Sequence, residues 1–592
     1  MPNESDIRLV TGATDWSAGV DSSRTTTIAS QSNPRGLKPN QLYWLNNATV
    51  RGSGITQRAG WQPITKIVDS GIYQSKFMYI PPNQVPYLML SISGRQYRVR
   101  LDTDNSVEDI TGVAANVNPA NLDYGYMEQG EEFVVIQDGA FNPLNPPLFW
   151  DGVTMRRSLG LTGVPKELPA AGPMHYYNGR MWYANGRVYT AGDIVGGPAG
   201  TGPFNKRDSI LKVTENPLAI GGDGFTVPTN AGNIRALKST AVMDTALGQG
   251  ELFAFTRKSI YALRVPISRN DWIGATGNNQ PLQRVAQINF GAYNDRSIVN
   301  VNGDLFYQSV DGINSLFQAV RYFQQWGNVP VSNNVNRALQ FNNRALMRFS
   351  SGIAFDNRLL QTCLPTTNAA GVVSKGILPL DFDLISTLDE KLPPAWEGIY
   401  EGLDILDLVT GDFGGRIRAF VIVSNQTDGS IWLWELTLQD RFQSGDNRVS
   451  WSFETPAFTW DDSFKLKKFD NIELWVDKLF GKVDFIAEYR VDSYPCWLPL
   501  YAWSECAARD CGEDIDAVSC PEYPADNPFC EQFRATMVTP SAIPSCIKIS
   551  GRPSNIGYQF QIRLRIKGFC RIRGLMAYAY PLVKQPYLGA IC

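Results

Sequence analysis

Apolar and polar side chains alternate most sharply near the end of the chain. In YQFQIRLRIKGFCRIRGLMAYAY (558–580), Phe560, Ile562, Leu564 and Ile566 share one face of an extended strand. Gln559, Gln561, Arg563, Arg565 and Lys567 share the other, and Gly568 is expected to start a turn before Arg571 and Arg573. Upstream, WSFETPAFTW (451–460), KKFDNIELWVD (467–477) and KVDFIAEYRVD (482–492) also read as strands. The middle of the chain has a different rhythm: short apolar runs broken by tight-turn residues. PYLMLSISGRQYRVRL (86–101), EEFVVIQDGAFNPLNPPLFWDG (131–152), MHYYNGRMWYANGRVYTAG (174–192) and ELFAFTRKSIYALRV (251–265) are such hairpins. RSIVNVNGDLFYQSVDGINSLF (296–317) and IRAFVIVSNQTDGSIWLWEL (417–436) continue them. Asn-Gly and Asp-Gly suit two-residue connections that need positive φ.

The units recur about every 40 to 60 residues, the spacing of four-stranded propeller blades. The expected fold is all-β: an irregular β-propeller of about six to eight blades, with unrelated β-sandwiches as the alternative. Residues 1–65 read as an N-terminal arm and docking segment, 66–440 as the propeller, and 441–592 as a β-sandwich carrying a Cys-rich loop at 493–555. The Ser/Thr-rich start of the arm has few large apolar residues; it either orders against a partner or is a frayed terminus. One segment departs from β character. In NNVNRALQFNNRALMRF (333–349), Val335, Leu339, Leu346 and Phe349 fall at helical spacing.

Composition agrees with a globular β-protein: 592 residues, 43% hydrophobic, 11% aromatic, 52 Gly and 36 Pro. The balance of 54 Lys+Arg against 57 Asp+Glu argues against a protein whose main task is gripping nucleic acid. No targeting signal and no membrane-spanning apolar window are seen, so a cytoplasmic origin is expected. Eight of the nine cysteines lie beyond residue 495. Cys496, Cys506, Cys511, Cys520, Cys530 and Cys546 are disulfide candidates. Their spacing lacks the close pairs of a zinc site, and no metal or cofactor is expected. Cytosolic redox chemistry opposes disulfides, unless the product later leaves the cell.

Catalytic signals are sparse. His175 is the only histidine and reads as a packed, hydrogen-bonded strand residue. There is no G-x-S-x-G elbow and no phosphate-binding G-x-x-x-x-G-K-[ST] loop. NQTDGSIW (425–432) partly resembles the hairpin turn repeated in sialidases, but Asp428 and Asp311 read as turn residues. Trp150, Trp432 and Trp434 read as packed residues before sugar platforms. The basic stripe Arg563, Arg565, Lys567, Arg571 and Arg573 reads as a face balanced by Asp470, Glu473, Asp484 or Glu488, or as a subunit contact.

GLKPNQLYWLNNATVRGSGITQRAGWQPI (36–64) resembles the opening of phage virion propeller proteins, matched at Leu37, Pro39, Gln41, Asn47, Val50, Arg51, Gly54, Arg58, Gly60 and Trp61. Ala59 stands where that family often has proline. Residues 296–317 resemble a blade of the same family, which includes the tail tubular protein B, or nozzle, of short-tailed phages. The resemblance implies a non-enzymatic virion tail part assembled in the host cytoplasm. It implies a ring, hexameric as in the nozzle, that meets a tail adaptor or portal-side ring and tail fibres and passes DNA without reading it. Arg51, Arg58, Trp61, Arg563, Arg565 and Lys567 are then candidates for subunit docking. A glycan- or receptor-binding adhesin and a histidine-free glycosidase are the alternatives.

Overall fold

The computed structural model describes residues 8–29, 33–52, 54–102, 104–139, 145–197, 207–215, 224–240, 251–263, 269, 272, 282–284, 291–316, 330–339, 344–367, 373–383, 394–444, 447–492, 494–507, 534–538, 548–549 and 552–582. The chain is nearly all-β, with about 6% helix, and its middle forms seven blades. Blade 1 is built from Tyr73–Tyr79, Tyr87–Ile92, Arg95–Arg100 and Val107–Asp109. Blade 2 follows with Tyr126–Gly130, Phe133–Gln137, Leu148–Trp150 and Met155–Arg157, and blade 3 with Met174–Tyr177, Arg180–Asn185, Val188–Ala191 and Phe225–Thr226. Blade 4 comprises Ile234–Ser239, Leu252–Thr256, Ile260–Leu263 and Leu282–Arg284, and blade 5 Val299–Val301, Asp304–Ser309 and Gly312–Ser315. Blade 6 has Gly352–Phe355, Arg358–Thr367, Val373–Asp381 and Ala395–Trp396. Blade 7 takes Ile405–Phe413, Arg416–Ser424 and Ile431–Leu436 from the end of the propeller, and its outermost strand, Trp61–Val68, from the beginning.

That borrowed strand closes the ring. The expected boundary at 65 therefore falls inside a strand of blade 7. Pro63 is tolerated there because the outermost strand needs no donor on its free side.

The hairpin turns form where the sequence places them. Ser93-Gly94, Asn178-Gly179 and Asn302-Gly303 all take positive φ at both residues. Successive residues of one strand then face opposite neighbours. Val134 and Ile136 pack toward Tyr79 and Met89 of blade 1, while Phe133 and Val135 pack toward Met174 and Met181 of blade 3. Burial on both faces explains why blade strands read as unbroken apolar runs such as FVVI. Apolar clusters run round the whole ring, including blade 7 against blade 1; between blades 5 and 6 the cluster is continuous with the core of the ten-stranded sheet.

Both ends of the chain meet in a second body, a ten-stranded sheet. Its spine is the antiparallel pair Lys467–Val491 and Phe560–Pro581, strands of 25 and 22 residues. The two segments read from sequence as separate strands at 467–477 and 482–492 are thus one. Register shifts interrupt the pair at 469–471, 475–476 and 477–484, the last where Lys478 and Gly481 take positive φ. Gly568 lies within the strand opposite the last of these; it starts no turn. Leu9–Ala13 pairs with Leu575–Ala579, and Trp44–Asn46, Ala48–Thr49 and Ile55–Gln57 join the same sheet. Pairing draws one sheet from residues 9–57 and 450–581, where a C-terminal sandwich and a separate arm were expected. The arm's described part lies on its own chain. Most of the Cys-rich loop falls outside the described residues.

The helical expectation holds in short turns: Val331–Val335, Asn336–Leu339 and Met347–Phe349, with Val335 and Leu339 buried. No described helix is long and apolar enough to cross a membrane.

Candidate functional site

The residues of the 36–64 block assemble at the joint between the ten-stranded sheet and the propeller. Asn47, at φ 52, receives hydrogen bonds from Arg58 Nε at 2.9 Å and from the Glu401 N–H at 2.7 Å. Arg51 grips Asp381 of blade 6 with both Nε and Nη2, at 2.8 and 2.7 Å, and reaches Asp356 with Nη1 at 2.7 Å. This fork-to-carboxylate geometry favours Arg over Lys. Beside it, Arg358 donates to Glu397 at 2.9 Å, and Glu397 also receives Tyr400 Oη at 2.7 Å and the Val50 N–H at 3.2 Å. Asp381 and Glu397 are wholly buried.

Arg58 is 3% exposed and stacks 3.7 Å from the Trp61 ring, which is itself buried. Its other bonds go to neutral acceptors: Ala59 O, Glu401 O and Gln443 Oε1. Burial of a cation among neutral partners pushes its pKa down to about 9. Two glycines permit the close approach. A Cβ on Gly60 would lie 1.8 Å from Phe442 O, and one on Gly398, at φ +73, 1.9 Å from Leu45 O. Around these residues lies a cavity of about 310 Å³.

Three docking candidates therefore turn inward. Arg58 and Trp61 are buried in their own chain, and Arg51 is committed to blade 6. The basic stripe is mostly neutralised where it stands. Arg563 and Arg565 pair with Glu488 at 2.6 and 3.1 Å. Arg571 clasps buried Asp477 at 2.8 and 2.7 Å, with Arg573 at 3.6 Å. Glu488 was among the expected partners; Asp477 was not. Arg565 and Lys567 remain exposed.

Of the disulfide candidates, Cys506 is disulfide-bonded, whereas Cys496 is a free thiol on an exposed bend, correcting that expectation. Cys511, Cys520, Cys530 and Cys546 lie outside the described residues. Asp428 is a turn residue as expected: it accepts the Ser430 N–H at 2.9 Å and Ser430 Oγ at 2.6 Å. Trp150 is buried against Tyr87, and Trp432 and Trp434 are half-buried on blade 7.

A second polar assembly lies on the propeller axis, where the innermost strands of the blades converge on a cavity of about 550 Å³. Bulges at Tyr73/Ser75, Ile234/Ala236 and Ile405/Asp407 re-aim three of these strands. Asp407, wholly buried, accepts from Tyr73 Oη at 2.7 Å and from Ser351 Oγ, and lies 3.3 Å from both Lys76 and Arg296. Burial alone would raise its pKa; Lys76, Arg296, Ser351 and Tyr73 outweigh that and hold it below the usual carboxylate range. Arg296 also lies 4.0 Å over the Tyr124 ring, whose hydroxyl donates to Asp295. Burial and Asp407 push the Tyr73 phenol well up, so it serves as a neutral donor.

His175 is hydrogen-bonded on both nitrogens, as expected. Nδ1 meets Glu128 Oε1 at 3.0 Å and Nε2 meets Ser239 Oγ at 2.8 Å. The three residues come from the innermost strands of blades 2, 3 and 4. Among the described residues no cluster of His, Cys, Asp and Glu is arranged to hold a metal ion.

No family model and no curated protein matches the chain. Among solved structures, it is similar to BBS1N in its complex with ARL6DN, at 8% identity over 64% of this chain and 100% of that one, with a TM-score of 0.33. Similarity to the Trypanosoma rangeli sialidase covers 96% of this chain and 95% of that one, at 8% identity and a TM-score of 0.27. At such scores the architecture rests on the strand pairing itself.

Proposed function

We propose that the chain is a structural subunit of a bacteriophage tail. Copies of it form a ring, six as in the nozzle it resembles, around the passage through which DNA leaves the particle. The observation that supports this most is the role of the resembled residues. Asn47, Arg51, Arg58, Gly60 and Trp61 fasten the ten-stranded sheet to blades 6 and 7, so the motif describes a rigid two-body joint. Rigidity suits a wall under load. The formal charge of −3 suits one that DNA must slide past. In this reading the subunit assembles in the host cytoplasm and meets a tail adaptor or portal-side ring and tail fibres. Exposed Arg565 and Lys567 remain available for contacts between subunits, whereas Arg51, Arg58 and Trp61 hold each subunit together.

Negative-stain imaging and mass photometry of the purified chain, alone and mixed with neighbouring virion proteins, test the proposal. Closed rings, formed alone or on an adaptor, are expected. Particles that stay monomeric with every neighbour would refute it.

A further inference from the structure

The axial assembly contains an arrangement that a structural wall does not require. Glu128, His175 and Ser239 stand in line on three successive blades. Glu128 Oε1 also accepts the Tyr176 N–H at 3.2 Å, which fixes the carboxylate's orientation. Burial would raise the Glu128 carboxyl, but Lys238, His175 and the Tyr176 N–H outweigh it and hold the group ionised. An ionised carboxylate facing Nδ1 places the imidazole proton there. Nε2 is then left as the acceptor for the Ser239 hydroxyl.

This is the order of groups in acyl-transfer sites: nucleophile, base, and a carboxylate that orients the base. Both hydrogen bonds fall within the reach such sites use. The side chains of His175 and Glu128 keep 16% and 14% of their exposure, and Ser239 is half-buried, so none of the three is sealed in the core. Of the three, Glu128 lines the axial cavity of about 550 Å³, large enough for a short acyl ester, and Lys238 carries that lining up to the residue before Ser239.

We propose that Ser239 is a nucleophile for small O-acyl esters, with His175 as its base and Glu128 as the positioning residue. Ser239 Oγ attacks the acyl carbon and its proton passes to His175 Nε2. The ester C–O bond breaks, and the leaving alcohol takes the proton back from His175. Water, deprotonated by His175, then attacks the acyl-serine. The carboxylic acid is released and the Ser239 hydroxyl restored. The step needs water and no other co-reactant. The inference goes beyond the tail reading and does not depend on ring formation.

The test uses the full chain with a fluorophosphonate probe and with p-nitrophenyl acetate. Peptide mass mapping should find one phosphonyl adduct, on Ser239. Ser239→Ala should abolish the adduct and the excess ester turnover while leaving the circular dichroism spectrum and melting midpoint unchanged. His175→Gln should slow labelling at least about a hundredfold, the low end of what a general base contributes. Glu128→Gln should lower kcat about tenfold and leave KM within about twofold, as expected of a group that acts through the base. Absence of an adduct on the folded wild-type chain overturns the proposal. So does turnover that survives Ser239→Ala, or labelling that His175→Gln leaves unchanged.

Discussion

Arg51→Ala is the most direct probe of the joint. The substitution removes both bonds to Asp381 and two to Asp356, one to its carboxylate and one to its carbonyl oxygen. Asp381 has no exposed surface and keeps only the Asp383 N–H at 2.9 Å and Arg358 at 3.9 Å. Stranding a buried charge costs about 3–5 kcal/mol. The two surviving contacts, and the 20% exposure of Arg51, place this case near about 3 kcal/mol. A melting curve would be a poor assay. If all 592 residues unfolded together, the unfolding entropy would be about 1.2 kcal/mol/K and the midpoint would move by only about 2 °C. Local opening reads the same free energy at full scale. Hydrogen exchange at the amides of 45–51 and 377–381 should speed up about a hundredfold in Arg51→Ala, since about 1.4 kcal/mol corresponds to tenfold. Arg565→Ala, which breaks a half-exposed pair with Glu488, should change its local exchange less than about threefold. If Arg51→Ala stays within about threefold at both segments, the joint is held by apolar packing, and the ion-pair argument fails.

The axis should weaken in acid. The Asp407 pKa is depressed in the folded chain, so its contribution is present above the ordinary carboxylate range and lost as pH falls through the depressed value. The stability gap between wild type and Asp407→Asn, followed by urea unfolding, should therefore narrow from pH 6 to pH 3; a constant gap would contradict the assignment. Gly398→Ala adds a Cβ 1.9 Å from Leu45 O at a left-handed φ, so it should destabilise the joint by at least about 2 kcal/mol, read as lost soluble yield and faster proteolysis near 45 and 398. Under native conditions iodoacetamide should modify Cys496 within minutes. Cys363, whose thiol burial pushes up to about 12, and the buried Cys570 should stay unmodified until the chain unfolds, as read by intact mass.

Local chemistry made the blades legible and left their partners hidden. Asn178-Gly179 and Asn302-Gly303 announce their hairpins because the turn and its residues are one and the same cause. Arg51 announces nothing of Asp356 or Asp381, which lie 305 and 330 residues away and meet it only once blade 6 stands beside the N-terminal segment. Ser239 was illegible for the same reason. Its hydroxyl finds His175 because the innermost strands of blades 3 and 4 are neighbours, and no local motif marks an ordinary strand serine. The solitary histidine reads in sequence as a packed strand residue, and nothing local to it names Glu128 or Ser239 as its partners. Gly568 misled because a glycine inside a bent strand and a glycine in a turn look alike in sequence; only the matching irregularity at 477–484 on the opposite strand separates them.

The two closures constrain each other. Trp61–Val68 can complete blade 7 only after Ile431–Leu436 exists, and Leu9–Ala13 can pair only after Leu575–Ala579 exists. Between them, Trp44–Asn46 pairs with Ser452–Glu454, and Ile399 N–H and Asn47 N–H exchange hydrogen bonds with Leu45 O and Ile399 O at the joint. The described residues between 8 and 68 are thus threaded alternately into the sheet, the joint and the ring. Opening the ring at blade 7 pulls on a strand whose preceding residues are pinned by Arg51, Arg58 and the ten-stranded sheet. A blade that carried its fourth strand locally would peel without disturbing anything else. Here the last blade of the ring is tied through its outermost strand to the ten-stranded sheet. The strand that closes the ring is therefore backed by sheet pairings of still longer range, those of Leu9–Ala13 with Leu575–Ala579.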